Sequence, residues 1–353
     1  MITWKCNWTR KIFQYKIIIT IIFLLFCSSL NNVKAAIVFS IEDKALCTSS
    51  QVVFNNSSLE FIFLEPEKIL ENPKKFWQND KAYQLIGELY KMMKRPIPME
   101  KWKENIIPLS QLSREEREKN QYLLMGRELE KQEAKINSQA IPFVCSYLPK
   151  SEDLNIGFKV CFTAFSGGYR TMYHNTVVMN IAHPRWKESS HNIINNLVRI
   201  LFDVGYRQFR ETRTEKPLNK KIYGALEYLQ VRGLSTYVGY KAQHLFSANK
   251  NAEYILLKDS DEVNALGKKL RDLFSKAETL SDKDFQTSSR EIGLRGKAYY
   301  VFGAHMAKRI EEKLGRPALI QTINKGPYSF VTTYNNLVEQ EEKILVPKSL
   351  LDQ

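Results

Sequence analysis

The stretch LVRILFDVGY, residues 197–206, decides how this 353-residue chain is read. With Ile193 and Ile194 ahead of it, its Leu197, Val198, Leu201, Phe202 and Val204 recur at three- and four-residue intervals. That spacing predicts an amphipathic helix with one face in a core. Arg199, Asp203 and Arg207 fall on its wetter side. Arg199 and Asp203 stand four residues apart, so they occupy one face of the helix, with Ile200 one step around it. Gly205 and Tyr206 close the stretch.

The apolar frame and the Gly-Tyr pair match a zinc-peptidase helix whose metal-binding side chains are replaced. In the H-E-x-x-H arrangement two histidines at i and i+4 hold the ion and the glutamate between them activates a metal-bound water. Those positions here carry Arg199, Ile200 and Asp203. A second segment, LQVRGLSTYV (residues 229–238), places Arg232 before Gly233, with Ser235 and Tyr237 beyond, where a third, glutamate ligand would be expected. A third segment carries Tyr300, Gly303, Met306, Ala307, Ile310, Glu311, Gly315, Leu319, Gly326, Phe330, Tyr334 and Asn335. In this order the three segments resemble an uncharacterised bacterial family of predicted zinc-dependent peptidases of the gluzincin type. The likeness runs from Val38 to Asn335 and is most specific in the last third.

The resemblance implies a zincin-like α+β fold, mainly helical with a small mixed sheet. It implies a strand at 176–181 at the cleft edge, able to pair with an extended ligand, with Thr176, Val178, Tyr206 and Tyr237 as cleft-binding candidates. All three ligand positions depart from the family pattern, and an arginine neither loses its proton nor binds a cation. The expectation is therefore a chain without zinc or another cofactor. It would be a pseudopeptidase that binds a peptide, a protein or an anionic polymer in the former active-site cleft. Two other readings stay open: an active hydrolase with non-standard ligands, and a structural envelope or interaction protein using the charged face at 115–135. Asp203 is expected to pair across the cleft with Arg232, tying two helices together where a metal would otherwise do so.

The N-terminus reads as an export signal. Lys5, Arg10, Lys11 and Lys16 precede an apolar core at 17–27, and Val33 and Ala35 fit cleavage before Ala36. Eleven apolar residues fall short of the ~20 a spanning helix needs, so no stable membrane span is expected after cleavage. A periplasmic or extracellular protein follows. Five of the 52 basic residues lie in 1–35, leaving 47 against 38 acidic ones and a net charge of +9. That charge favours anionic surfaces. It is spread along the chain with no nucleic-acid-reading motif, so no nucleic-acid partner is expected. Three cysteines remain after cleavage, Cys47, Cys145 and Cys161. Export to an oxidising compartment allows a bridge. Cys145 and Cys161 are the expected pair because each sits in a strand-like run, with a turn-rich stretch between.

The chain divides into a strand and charged helical region (36–140), a sheet with the degenerate metal helix (141–222) and a helical C-terminal lobe (223–353). Helices are expected at 66–71, 80–93, 98–106 and 113–139, the last opened by a capping box of Ser113 and Glu116. Residues 51–63 read as short strands or irregular cover. Strands are expected at 141–147, 157–165 and 176–181, with a break at Ser166-Gly167-Gly168. Further helices are expected at 223–245, 261–276, 282–289, 295–314 and 317–324, with Gly315 as a stop and Pro317 opening the next helix. None of the five histidines stands in a metal-ligand spacing, and Ser166-Gly167-Gly168 is not a nucleophile elbow.

Overall fold

The computed structural model describes residues 49–54, 56–97, 99–150, 156–164, 168–186, 190–212, 220–246 and 251–346. The expected signal, its cleavage site and Cys47 lie outside these residues. The chain is mainly helical with one small mixed sheet, an α+β arrangement.

The N-terminal third is a string of short helices: α1 (Asn56–Leu64), α2 (Pro66–Glu71), α3 (Pro73–Asn79), α4 (Lys81–Met92), α5 (Met99–Ser110), α6 (Arg114–Glu118) and α7 (Gln121–Lys131). Helix α4 presents Tyr83, Ile86 and Leu89 to the core, and Tyr83 packs edge-on against Trp77 and Trp102. The Tyr83 hydroxyl donates to the Ala164 carbonyl at the end of strand β2, which anchors this region to the sheet. The Ser113–Glu116 capping box is present. It opens α6 alone rather than one long helix, because the chain restarts at Asn120, whose side chain caps α7.

The run at 141–147, expected as a strand, is helical: α8 (Ile141–Cys145) follows a π turn at Ile136–Ala140. An unbroken apolar run carries no periodicity to separate a strand from a buried helical turn. Pro142 stands in the first turn of α8, where no backbone donor is needed.

The sheet has the order β1-β2-β4-β3, from β1 (Ser49–Phe54), β2 (Gly157–Thr163), β3 (Arg170–Tyr173) and β4 (Thr176–Asn180). β1, β2 and β4 are parallel, and β3 turns back on β4 through a two-residue hairpin with His174 at φ 46°. The expected strands at 157–165 and 176–181 are β2 and β4, and β1 overlaps the start of the stretch at 51–63 read as short strands or irregular cover, which from Asn56 on is instead helix α1; β3 is a strand that the sequence reading does not contain. The position of β4 corrects one expectation. All five of its residues are buried and it lies between β2 and β3, so Thr176 and Val178 line no cleft edge. The edge strand beside β4 is β3, every residue of which is partly exposed; β1 forms the opposite edge.

Cys161 is a free, buried thiol in the middle of β2, flanked in register by Val53 and Val178. The expected Cys145–Cys161 bridge is therefore not formed. Cys145, at the end of a helix rather than in a strand, is disulfide-bonded, and its partner lies outside the described residues.

The second half carries α9 (Ser190–Glu211), α10 (Lys220–Phe246), α11 (Ala252–Leu256), α12 (Ser260–Ser275), α13 (Asp282–Ser289), α14 (Ala298–Lys325) and α15 (Pro327–Asn335). Helix α9 is the one read from residues 193–206. Its apolar face is fully buried, and it approaches β2 and the chain after α8 at Gly205, where a Cβ would fall 2.3 Å from Leu148 Cδ1 and 3.4 Å from the Phe158 ring. Helix α14 is interrupted at Gly315 (φ 81°, ψ 166°), with Pro317 in the turn that follows, as the stop-and-restart reading expected.

Candidate functional site

Helices α9 and α10 run antiparallel and are joined by a ladder of polar contacts in one register. The Asn195 amide donates to the Gly239 carbonyl at 3.1 Å. One turn on, Arg199 Nη2 donates to Thr236 Oγ1 at 2.9 Å. A turn further, Arg232 Nη1 donates to Asp203 Oδ2 in a direct ion pair. Tyr206 then donates to Gln230 Oε1 at 2.8 Å, and the Gln230 amide continues to the Thr322 carbonyl at 3.0 Å. Each step advances three or four residues on α9 and retreats two to four on α10, as facing surfaces of antiparallel helices require. The ladder arises because both sequences place polar groups at helical spacing inside otherwise apolar faces. Gly239 makes room for it: a Cβ there would lie 2.5 Å from Arg199 Cγ.

The ion pair is well shielded, with the Asp203 side chain 3% exposed and that of Arg232 13% exposed. Burial alone would lower the Arg232 pKa. The facing Asp203 carboxylate, helped by nearby tyrosine oxygens, outweighs it and holds the guanidinium more firmly protonated than usual. Asp203 Oδ1 and Arg232 Nε are buried with no hydrogen-bond partner among the described residues.

Arg199 has a carboxylate of its own. Its Nη1 lies 3.3 Å from Glu253 Oε2, and its guanidinium stands 5.7 Å from the centre of the Tyr300 ring. Glu253 sits in the first turn of α11 and also faces Lys297 Nζ at 3.4 Å. Burial pushes the Glu253 carboxyl upward, but Arg199, Lys297 and its own backbone N–H together hold it below the ordinary carboxylate range. Lys297 is the residue before α14 and adopts φ 63°, a left-handed conformation that a side-chain-bearing residue rarely takes.

These groups line one cavity of about 370 Å³, bounded by Tyr169, Arg170, Asn196, Arg199, Ile200, Asp203, Arg232, Ser235, Glu253, Leu294, Lys297 and Tyr300. Arg199, Ile200, Asp203 and Arg232, singled out in the sequence, thus converge on a single pocket. The expected Asp203–Arg232 pair is formed, whereas Arg199 is neutralised by Glu253 and not by Asp203.

The four cleft-binding candidates do not line this cavity. Thr176 and Val178 are inside the sheet. Tyr206 is buried and faces a separate cavity of about 430 Å³ with Arg207, Arg210, Glu211 and Glu227. Tyr237 is 2% exposed, packed edge-on against Tyr147, and burial followed by the nearby Glu311 carboxylate raises its pKa. Both tyrosines lie on inward faces of their helices, which sequence spacing alone did not separate from the cleft. The residues missed were Tyr169, Arg170, Asn196, Glu253, Leu294 and Lys297. Ser235 and Tyr300 stood in the quoted segments but were given no cleft role.

The molecule is thus an α+β protein whose cavity lies between two antiparallel helices and is lined by arginine–carboxylate pairs. The chain belongs to the family described as "Putative zinc dependent peptidase (DUF5700)", whose model matches residues 60–343. No curated protein and no solved structure matches it.

The zinc that the family description names can be tested against the residues present. Of the side chains at 199, 200, 203 and 232, only Asp203 is a metal donor, and its carboxylate is already held by Arg232. Three permanently cationic guanidinium groups, of Arg170, Arg199 and Arg232, share the pocket. Among the described residues no group of three or more His, Cys, Asp or Glu side chains is placed to hold a metal ion. These residues do not fit a zinc ion.

Proposed function

We propose that this protein is a catalytically inactive member of its family, an exported pseudopeptidase that uses the cavity between α9 and α10 to bind a peptide, a protein or an anionic polymer. The observation that carries the reading is the Asp203–Arg232 pair, which ties α9 to α10 inside the cavity. Under this reading Arg199, Asp203 and Arg232 stand at the three ligand positions, and Ile200 stands at the position of the general base. An isoleucine has no proton to exchange, so the residue that would activate water is missing. Under this reading the buried ladder takes over from a metal the task of holding the two helices together. The same reading takes residues 1–35 as an export signal and the periplasm or the cell exterior as the place where the protein works. Among the described residues no helix is long and apolar enough to cross a membrane.

The test is the metal content and hydrolytic activity of the purified protein. The expected result is no stoichiometric zinc, no peptide hydrolysis and a melting temperature indifferent to chelator. One tightly bound zinc per chain, lost together with a peptidase activity on chelation, would overturn the reading. In the complementary experiment, Arg199→His, Asp203→His and Arg232→Glu together should create a zinc site, and adding Ile200→Glu supplies a base. A folded triple variant that takes up no zinc would show that these are not the ligand positions of a peptidase fold.

A further inference from the structure

We infer that the cavity between α9, α10 and α14 is an oxyanion-binding site, with Arg170 and Lys297 at its mouth as the ligand-binding cations. This rests on the proposed reading of the cavity as a ligand site and names the chemistry of what it binds.

The cavity lining contains four cations, Arg170, Arg199, Arg232 and Lys297, and two carboxylates, Asp203 and Glu253. The carboxylates are unevenly shared. Asp203 is committed to Arg232, while the single Glu253 faces both Arg199 and Lys297. Arg170 has no ion pair among the described residues, and its guanidinium stands over the neighbouring Tyr169 ring at 5.3 Å from the ring centre. A stacked guanidinium keeps its N–H fork free to meet an acceptor in the ring plane. Two positive charges are thus left without a full counter-charge around a volume large enough for a few heavy atoms beyond an anionic group.

Arg199 and Arg232 are shielded and engaged, so they set the potential without being the groups that meet the ligand first. Lys297 is 40% exposed at its side chain, and its left-handed backbone directs α14 to begin at the cavity wall. Arg170 opens β3, an edge strand of the sheet with every residue partly exposed. The excess positive charge therefore lies at the entrance, where a ligand arrives, and the neutral pairs lie behind it. A cation or an amine would be repelled there. A carboxylate or phosphate would find two donors, one planar and one a point charge, in a partly desolvated setting where such contacts are strong.

Isothermal titration of the purified protein at constant ionic strength tests this with three probes: inorganic phosphate, N-acetyl-dialanine with a free carboxylate, and the same dipeptide as its amide. The expected result is saturable one-to-one binding of phosphate, of the free acid, or of both, with no binding of the amide. Preference for phosphate identifies a phosphorylated ligand, and preference for the acid identifies a peptide C-terminus. Losing a charge-assisted contact should weaken binding about tenfold in Arg170→Gln and in Lys297→Gln. Arg170→Lys, which keeps the charge, should recover part of it. Melting curves of each variant establish that it is folded. Absence of saturable binding by either anion, equal binding of the acid and the amide, or full affinity in both folded variants would overturn the inference. None of these results depends on zinc. A metal-free, inactive protein that ignores anions refutes the site chemistry alone, and a zinc-loaded hydrolase refutes the proposed function.

Discussion

Gly233 and Gly303 touch backbone to backbone where α10 crosses α14: a Cβ on Gly233 would lie 2.4 Å from the Gly303 carbonyl carbon, and one on Gly303 would lie 2.5 Å from the Leu229 carbonyl oxygen. No side chain fits there. The crossing fixes two walls of the cavity together, because Arg232 precedes Gly233 on one helix and Tyr300 stands one turn before Gly303 on the other. The Tyr300 ring thereby meets the Arg199 guanidinium.

Gly233→Ala and Gly303→Ala should each destabilise the protein by about 2–3 kcal/mol or more, the upper range for overpacking, because the clash is with backbone and cannot be relieved by a rotamer change. Gly224→Ala on the same α10 helix meets nothing within 4 Å. It should be neutral or stabilising by up to about 1 kcal/mol, the ordinary helix gain over glycine. Denaturant unfolding of the three variants decides the matter. Equal effects would mean that the helices do not cross at this contact.

The cysteines give a chemical readout. Cys161 is enclosed in the sheet, and burial, with a smaller contribution from the Asp80 carboxylate, pushes its thiol up to about 12. It should resist alkylation in the native protein, since the thiolate is the reactive form, and become available on denaturation. Peptide mapping without reduction should find Cys145 bridged and Cys161 free. With Cys6 and Cys27 in the expected signal, Cys47 is the expected partner. A Cys145–Cys161 peptide would contradict the structure.

Acid should destabilise the fold through His305. Burial first, then Arg309 and Lys308, lower its pKa from 6.5 to about 4, so the ring is neutral in the native protein at pH 6. The unfolded chain gains its proton at a higher pH than the folded one. Stability from this group is therefore complete above pH 6.5 and lost as pH falls from 6.5 towards 4, on the order of 3 kcal/mol in all. Glu253, also depressed, adds to the loss below the ordinary carboxylate range. His305→Gln should flatten the stability curve between pH 6.5 and 4 relative to the parent. An unchanged slope would show that His305 titrates normally in the fold.

Much of the site was legible because helical spacing is local and regular. Arg199 and Asp203 share a face by being four apart, and Arg232 lies opposite Asp203 because two long helices keep one register over their length. What escaped the sequence depends on contacts between distant segments. Glu253 belongs to a five-residue helix, and nothing near it in sequence points to Arg199, 54 residues away. Lys297 reaches the cavity through a left-handed residue that glycine would be expected to occupy. The sheet edge was misplaced because β3 is four residues long, RTMY, too short to show alternation, whereas the apolar β4 was conspicuous but is internal. The helical turn at Ile141–Cys145 reads as a strand for a related reason: a short, unbroken apolar run, four of whose five residues are buried, fits either structure.

The Asp203–Arg232 pair predicts its own thermodynamics. Removing one partner leaves a buried charge facing nothing, so Asp203→Ala and Arg232→Ala should each cost about 3–5 kcal/mol. An exposed pair such as Arg114–Glu118, with side chains 80% and 50% exposed, should cost less than about 1 kcal/mol when broken. The double replacement Asp203→Leu with Arg232→Met removes both charges and keeps apolar volume between the helices. It also removes Asp203 Oδ1 and Arg232 Nε, which are buried without hydrogen-bond partners among the described residues. The double variant should therefore be more stable than either single one and within about 1–2 kcal/mol of the parent, since a well-packed apolar pair often replaces a buried ion pair without loss. Urea unfolding of the four proteins gives the comparison. If both single variants lost less than about 1 kcal/mol, the pair would be open to water. The tie between α9 and α10 at the centre of the proposed function would then be a surface contact.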